Sequence, residues 1–188
     1  HFRKGPHFHI NSVLFSSLQK IVIQDVCKLN NLIHRSRKPC LTPGAQRLKK
    51  SPMFEIRSIC VYCGSSTGQN PLYREAGLAL GRSIAEHGIR LVYGGGTRGI
   101  MGAVAQGVME AGGEVTGIIP TFLLDKEASF ERAKELSELI IVDDMHERKH
   151  LMFQRSDAFV TLPGGIGTVE EIVEMMTWAQ LGKPRKPM

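Results

Sequence analysis

The sequence predicts an α/β protein with a doubly wound, mostly parallel Rossmann-like sheet and helices on both faces. Two observations support this prediction. From Met53 onwards, short runs rich in Val and Ile alternate with longer segments of helical periodicity. Three of these runs end in glycine turns that lead into the next predicted helix. Strands separated by helices of this length pair in parallel, with right-handed crossovers.

The first half of this pattern contains two strand–helix units. EIRSICVYCG is the first predicted strand, and the helix after it begins at Asn70 and Pro71, a capping residue followed by a proline in the first turn. That helix is predicted to end at Gly88, because glycine commonly terminates helices. IRLVYGGG is the second strand, and GIMGAVAQGVMEAGG is the small-residue helix behind it.

The second half continues the alternation. EVTGIIP is the third predicted strand, DKEASFERAKEL a loop or short helix, and ELIIVDD the fourth strand. MHERKHLMFQRS is the next helix, DAFVTLPGG the fifth strand, and TVEEIVEMMTWAQLG the helix after it. This architecture would continue with another strand, so we expect the domain to lack at least one strand and helix beyond Met188.

The net charge of +6 comes from one part of the chain. Residues 1–52 hold ten Lys and Arg and one acid, whereas the remainder holds fourteen bases and seventeen acids. The charge therefore does not support a nucleic-acid surface, and no apolar run approaches the roughly 18 residues of a membrane span. We expect residues 1–52 to be a basic leader, disordered or outside the mature domain. It is either a targeting peptide or sequence upstream of a start at Met53, with residues 53–188 forming one C-terminally truncated domain.

Three turns follow predicted strands: CGSS at 63–66, GGGTRG at 94–99 and PGGIGT at 163–168. Ligands of open α/β sheets bind along the edge formed by the carboxyl ends of the strands. Glycine lets backbone amides approach an anion, and the N-terminus of the following helix adds partial positive charge. The turns therefore indicate a phosphate-bearing ligand, with close helix–strand packing as the alternative role for the glycines.

Neither common nucleotide motif fits these turns. GGGTRG matches G-x-G-x-x-G, but the next strand, EVTGIIP, has no acid at its end to bind a ribose. The chain also has no GK[ST] sequence of an ATP-binding P-loop. A mononucleotide or a sugar phosphate fits better.

The segment HERKH, from His146 to His150, matches the HExxH pattern of zinc proteases. We favour a non-metal role, because a zincin helix is usually buried and this one has Arg148 and Lys149 between its histidines. The CVYC pair likewise has no second pair nearby to complete a zinc site. Cations at a helix start oppose the helix dipole. That conflict favours a functional role for the two cations over a merely solvated helix start.

The helix after PGGIGT begins with adjacent carboxylates. Thr168 and Glu171 have the spacing of a capping box, in which the threonine caps the helix and the glutamate reaches back. A cap needs only one glutamate, however, and Glu170 and Glu174 lie close by in the sequence. A carboxylate beside a phosphate-binding turn, with an arginine to balance its charge, suits cleavage of a glycosidic bond. Both interpretations stay open on spacing alone.

GGGTRGIMG, MHERK and PGGIGTVEE, in this order and spacing, resemble the signature of the LONELY GUY (LOG) family. These proteins are cytokinin riboside 5′-monophosphate phosphoribohydrolases, long labelled lysine decarboxylases, and the resemblance covers residues 56–188. It implies hydrolysis of the N-glycosidic bond of a nucleoside 5′-monophosphate to free base and ribose 5-phosphate, without a metal or other cofactor. It also implies a cytoplasmic homodimer or larger homo-oligomer, with no nucleic-acid or membrane partner.

By position in these motifs, the resemblance makes Arg148 and Glu171 the catalytic pair. Glu127, in DKEAS, corresponds to the acid on the base side of the substrate. The resemblance and the three turns together give the positions expected to bind substrate: Ser65, Gly95, Gly96, Thr97, Glu127, Lys149, Gly164, Gly165, Ile166, Gly167, Thr168, Glu170 and Thr177.

Two alternative functions remain open. The first is a general AMP nucleosidase with no preference for isoprenylated bases. The second is a non-catalytic nucleotide-binding module, which would bind AMP and release no adenine. The phosphate turns alone do not distinguish these functions, because the difference lies in the base pocket and in the reacting groups.

Overall fold

The computed structural model describes residues 55–127, 134–182 and 186–188. The predicted leader, residues 1–52, and six residues of the DKEASFERAKEL segment lie outside the described residues. Five strands form one sheet: β1 Ser58–Tyr62, β2 Arg90–Tyr93, β3 Val115–Pro120, β4 Glu138–Val142 and β5 Ala158–Thr161. The helices connect them: α1 Leu72–Glu86, α2 Gly99–Glu110, α3 Leu124–Glu127 after a 3₁₀ turn at Thr121–Leu123, α4 Met145–Gln154 and α5 Ile166–Gln180.

The sheet has the order β4-β3-β2-β1-β5, and every neighbouring pair is parallel. The first four strands run outward from β1 in sequence, and β5 returns to the other side of β1. In the register, Cys60 lies between Val92 of β2 and Phe159 of β5. The direction of winding therefore reverses between β1 and β5, and a ligand crevice is expected at the carboxyl ends of these two strands.

Helices cover both faces, as the sequence predicts. On one face, Cys60 and Tyr62 pack with Phe159 and with Met152 and Met175 of α4 and α5. The alternate residues of the strands point to the other face, where α1 and α2 pack.

Glycines set the close approach of α1 to α2. A Cβ at Gly81 would lie 2.2 Å from the carbonyl oxygen of Val104, and one at Gly107 would lie 2.3 Å from that of Leu78. The predicted doubly wound α/β fold is confirmed. Within the described residues, no helix is long and apolar enough to cross a membrane.

The ends of α1 agree with the sequence signals. The Oδ1 of Asn70 accepts a hydrogen bond from the amide of Leu72 at 3.0 Å. At the other end, Gly88 has a φ of +67° and its amide donates to the carbonyl of Ala85. Both devices satisfy backbone groups that have no partner within the helix.

Candidate active site

The reversal of winding brings the first and third glycine turns together. The amide of Gly64 donates to the carbonyl of Pro163 at 3.0 Å. A Cβ at Gly64 would lie 3.2 Å from the Cα of Gly164, so the two turns are in backbone contact. The crevice expected from the strand order is therefore walled by these two turns.

The second turn joins the same place through the start of α2. The amide of Met101 donates to the carbonyl of Gly64 at 3.1 Å. Gly99, with a φ of +64°, passes so close to Ser65 that a Cβ would lie 2.3 Å from the carbonyl carbon of Ser65. All three predicted turns therefore meet at one edge of the sheet, with Ser65 exposed beside them.

The amides of the GGGTRG turn are largely used within the protein. Gly95 has a φ of +76°, which favours glycine, and the amide of Gly96 lies 3.3 Å from the Sδ of Met101. Both the amide and the hydroxyl of Thr97 donate to the carbonyl of Glu127, at 2.9 and 3.4 Å. This turn therefore positions α3 and Glu127 near the crevice, rather than presenting the amides of Gly96 and Thr97 to an anion.

The start of α5 corrects one interpretation of the glutamates. The helix begins at Ile166, two residues earlier than predicted, with Gly165 as its N-cap and no side-chain cap. Thr168 is therefore inside the first turn, and Glu171 lies most of a turn beyond it. The predicted capping box is wrong, because the paired glycines let the chain enter the helix without a side-chain acceptor. Glu171 is therefore not part of a helix cap.

The N-terminus of α5 is open to an anion. Gly165, Ile166 and Gly167 are exposed, and the first amides of a helix have no acceptor within it. Thr168 is buried and packs against Gly164: a Cβ added to Gly164 would lie 2.1 Å from the Oγ1 of Thr168. The third turn therefore combines a close backbone approach with free amides and the positive end of the helix dipole.

Arg148 reaches the crevice from α4. Asp144 caps that helix by accepting the amide hydrogen of Glu147 at 2.8 Å, and Arg148 is only 4% exposed. Its Nη2 donates to the carbonyl of Gly94 at 3.1 Å, and its Nη1 lies 3.6 Å from the Sδ of Met145. Its Nε has no partner among the described residues, so one buried donor is left for another molecule.

Glu171 is the buried carboxylate of the site, at 8% exposure. Burial raises its pKa to about 7, while the charges of Arg148 and Lys149 oppose the shift and those of Glu170 and Glu127 add to it. The carboxyl therefore exchanges its proton near neutral pH. That value suits a group that takes up or gives a proton in the reaction.

Cys63 is buried next to this pair. Burial raises the pKa of its thiol to about 12; the charge of Glu171 raises it further and that of Arg148 lowers it. At neutral pH the side chain is a neutral thiol, so it adds no charge to the crevice. Cys60 is also buried, and both cysteines are free.

Lys149 links α4 to α5. Its Nζ lies 2.6 Å from the Oε1 of Glu170 and 3.0 Å from the Oε2 of Glu174. Burial lowers the pKa of Lys149, but the hydrogen bonds to the two carboxylates outweigh this, and the net shift is upward. The lysine charge is therefore already compensated, which leaves Arg148 as the cation that acts mainly on Glu171.

Thr177 and the two histidines of HERKH are exposed residues of α5 and α4. Thr177 is exposed, and its hydroxyl donates to the carbonyl of Val173 in its own helix at 2.8 Å. His146 and His150 are both exposed, and in the described part of the chain no three His, Cys, Asp or Glu side chains come together as metal ligands. These contacts leave the role of Thr177 in substrate binding a prediction.

Three contacting residues were not among the sequence candidates. Gly94 accepts the bond from Arg148, and Met101 lies against Gly96; both belong to GGGTRGIMG, and only the pairing of distant segments shows their contacts. Glu174 follows Glu171 by three residues, a spacing that places the two carboxylates on one side of the helix. That spacing could have identified it.

Comparisons with known proteins agree with this geometry. A family model described as possible lysine decarboxylase matches residues 101–188. The Arabidopsis thaliana protein named probable cytokinin riboside 5′-monophosphate phosphoribohydrolase LOG6 is 46% identical over 145 residues, covering 77% of this chain and 71% of its own length. This chain belongs to the LONELY GUY (LOG) family. The resemblance seen in the motifs is confirmed.

Other LOG relatives match over a smaller share of their length. LOGL9 of Oryza sativa subsp. japonica, a probable cytokinin riboside 5′-monophosphate phosphoribohydrolase, is 52% identical over 133 residues, 71% of this chain and 57% of its own. LOG7 of Arabidopsis thaliana, which has the same enzyme name, is 49% identical over 71% of this chain and 60% of its own. The matched region thus spans somewhat more than half the length of these two LOG proteins.

Solved structures show the same architecture. An X-ray structure from a structural-genomics consortium matches with 35% identity and a TM-score of 0.53, covering 68% of this LOG chain and 71% of the other. The molybdenum cofactor carrier protein of Chlamydomonas reinhardtii matches with 22% identity and a TM-score of 0.56, covering 66% and 73%. The second likeness concerns the fold alone.

Proposed function

We propose that this chain hydrolyses the N-glycosidic bond of a nucleoside 5′-monophosphate, a cytokinin riboside 5′-monophosphate or AMP, to free base and ribose 5-phosphate. One observation carries the proposal: the buried carboxyl of Glu171, with its pKa near 7, lies close to the charge of Arg148 where the sheet reverses its winding. The enzyme names of the LOG relatives support the same reaction.

The 5′-phosphate is assigned to the start of α5. The turn from Gly164 to Thr168, exposed at its three middle residues, offers backbone amides and the positive end of a fifteen-residue helix. A phosphate bound there places the ribose above the next turn of the helix, where Glu170 and Glu171 lie. Glu127, whose carbonyl accepts the amide hydrogen of Thr97, is assigned to the side of the base.

Glu171 is assigned to the reacting carbon. As the bond from C1′ to the base nitrogen lengthens, positive charge develops on the ribose, and an ionised carboxylate stabilises it. Water then adds its oxygen to C1′, and one of its protons ends on the leaving base. Glu171 accepts this one proton from the attacking water and passes it on towards the base, so that the carboxylate is ionised again when the products leave.

Arg148 supports both roles. Its positive charge favours the ionised form of Glu171, and its unpartnered Nε–H is a donor in reach of the crevice. The bond from Nη2 to the carbonyl of Gly94 fixes the plane of the guanidinium. Lys149, neutralised by Glu170 and Glu174, holds the two helices together at this end.

We further propose a homodimer or larger homo-oligomer that uses α5. Four exposed apolar residues follow one another at intervals of three, four and three along this helix, so they form a single stripe. They are Ile166, Val169, Val173 and Met176, each at least half exposed. An apolar stripe open to water is typical of a protein interface, and this one is on the helix of Glu171. A cytoplasmic location without nucleic-acid partners remains a proposal from the family resemblance.

The function is tested by incubating the purified protein with AMP and with isopentenyladenosine monophosphate in EDTA, and measuring free base by chromatography. Glu171→Gln removes the ionisable carboxyl with little change in size. The matched control is Glu86→Gln, the same change at an exposed glutamate of α1. We expect base release in the wild type, a loss of about 10²–10⁴-fold in Glu171→Gln, and a much smaller change in the control.

The outcomes separate the candidate functions. A higher rate with the isoprenylated substrate assigns a cytokinin enzyme, and equal or higher turnover of AMP assigns a general AMP nucleosidase. Binding of AMP without release of base would overturn the proposal in favour of a nucleotide-binding module. Full activity of Glu171→Gln would refute the catalytic role of Glu171.

A further inference from the structure

The side chain of Lys186 closes the C-terminal end of α4. Its Nζ donates to the carbonyls of Phe153 and Ser156 and lies 4.3 Å from the centre of the Phe153 ring. The last carbonyls of a helix have no partner within it and carry partial negative charge, so an ammonium group stabilises this end. Burial lowers the pKa of Lys186, and the charge of Asp157 opposes that shift.

The next residue attaches the same segment to the sheet. The carbonyl of Pro187 accepts the amide hydrogen of Phe159, in β5, at 2.8 Å. Lys186 and Pro187 thus contact the end of α4 and the edge of β5 together. We call these contacts the Lys186 clamp.

The two elements held by the clamp supply opposite sides of the candidate active site. The helix α4 carries Arg148 in its second turn, and β5 leads directly into α5 with Glu171. At the crevice end, the ion pairs of Lys149 with Glu170 and Glu174 connect α4 to α5. Arg148 and Phe153 are five residues apart, about 7.5 Å along the helix. The helix is therefore attached next to Arg148, through Lys149, and again about one turn further on, at Phe153.

Without the clamp, the C-terminal turn of α4 would be held by the packing of Met152 and Phe153 and by the ion pair of Arg155 with Glu138. A shift of α4 against the sheet would lengthen the bond from Arg148 to the carbonyl of Gly94, which at 3.1 Å is already near the upper end of the hydrogen-bond range. A displacement of about 1 Å at a reacting centre can cost about 100-fold in rate. The second attachment point therefore matters for the placement of Arg148.

We propose that Lys186 is a positioning residue for the reaction, which it serves by fixing α4 against β5 and thereby Arg148 against Glu171. The proposal rests on the proposed function, because it names a further residue for that reaction. Lys186 does not touch the crevice. It acts through the helix.

The test compares three variants of the purified protein with the wild type, well below their unfolding temperatures. Lys186→Met removes the charge and keeps the length of the side chain, and Lys186→Arg keeps the charge and the donors. Val108→Ala is the control for a loss of stability alone, because Val108 is fully buried in α2 on the other face of the sheet. If Lys186→Met does not fold, Lys186→Gln replaces it, since glutamine is neutral but still a donor.

We expect Lys186→Met to lower kcat by roughly 10- to 100-fold, Lys186→Arg to recover most of it, and Val108→Ala to leave it within about twofold. The half-maximal point of the pH–rate profile should also move upward in Lys186→Met, because a looser Arg148 favours the ionised Glu171 less. A kcat in Lys186→Met no lower than that of Val108→Ala would overturn the proposal.

A second measurement keeps the inference separate from the proposed function. Hydrogen exchange of the amides of residues 148–155 should be faster in Lys186→Met than in Val108→Ala, whatever the enzyme does. If the wild type releases no base, the proposed function fails while exchange still tests whether the clamp fixes α4. Unchanged exchange in Lys186→Met would overturn the clamp itself.

Discussion

The Nη2 of Arg148 donates to the backbone carbonyl of Gly94 at 3.1 Å, and a Cβ on Gly94 would lie 1.8 Å from that nitrogen. Only a residue without a side chain leaves room for the guanidinium. Gly94 does not have a positive φ, so its backbone would accept alanine. The first glycine of the GGG turn therefore serves the placement of an arginine 54 residues later in the chain.

Gly94→Ala should displace Arg148 without unfolding the protein. We expect base release to fall by about 10²–10³-fold, comparable to Arg148→Met, because the new methyl group occupies the position of Nη2. Steady-state kinetics with AMP measures the effect. Gly77→Ala is the control, since its Cβ would meet only Ile100 and Ala103 at 3.3–3.4 Å. Wild-type turnover in Gly94→Ala would show that Arg148 need not lie where the structure has it.

The rate should rise with pH through neutrality. Burial raises the pKa of Glu171 to about 7, and the proposed mechanism needs the ionised carboxylate. We expect kcat/KM, which reports the free enzyme, to be half-maximal near pH 7 and to reach a plateau above it. A rate that falls as the pH rises from 6 to 8 would instead indicate that the protonated form of Glu171 is the active one.

The stability of the fold should change with pH in the opposite direction. Because the pKa of Glu171 is raised from 4.5 to about 7 on folding, the folded protein holds this proton more tightly than the unfolded chain. The resulting stabilisation is present in full below pH 4.5 and is lost as the pH rises through 7. The raised pKa of Glu171 is equivalent to about 3 kcal/mol in the free energy of unfolding.

Urea unfolding at pH 5 and pH 8 tests this linkage. Glu171→Gln has no proton to lose at this position, so its free energy of unfolding should depend less on pH than that of the wild type. The comparison of the two slopes cancels the contribution of all other groups. Equal slopes in the two proteins would mean that Glu171 titrates alike in the folded and unfolded states.

The apolar stripe of α5 should control association. Val173 lies at the centre of the stripe and is 53% exposed. Val173→Glu would place a charge within the proposed interface, where burial of an unpaired charge is unfavourable. We expect a dimer or larger oligomer in the wild type and a monomer in the variant, measured by analytical ultracentrifugation. Gln69→Glu, the same gain of charge at an exposed residue that follows the CGSS turn, should leave the mass unchanged.

The sequence predicts all five strands and most helix boundaries, because alternating strands and helices of ordinary length have clear local signals. The exception is the start of α5. Gly165 and Gly167 are poor helix formers, so the predicted helix begins at Thr168, whereas the structure begins it at Ile166. Tertiary contact overrides propensity here, since the turn before the helix packs against Gly64 of the first turn.

Local sequence patterns do not predict the contacts within the site. The bond from Arg148 to Gly94 depends on the strand order β4-β3-β2-β1-β5, which periodicity does not specify. The family resemblance supplied Arg148 and Glu171 as a pair, and the structure places their charges close together. Thr177, taken from the same resemblance, bonds to its own helix, and its contact with substrate stays a prediction.

The pairing of β5 with β1 joins residues nearly a hundred positions apart, as in Ile59 with Ala158. A chain emerging from the ribosome therefore contains β1 to β4 and Arg148 before Glu171 has been synthesised. Until β5 arrives, β1 is an edge strand, apolar on both faces and open to pairing with another chain. The pairing of β5 with β1 thus completes the active site and at the same time covers an apolar edge, so a folding defect at β5 would cost solubility as well as activity.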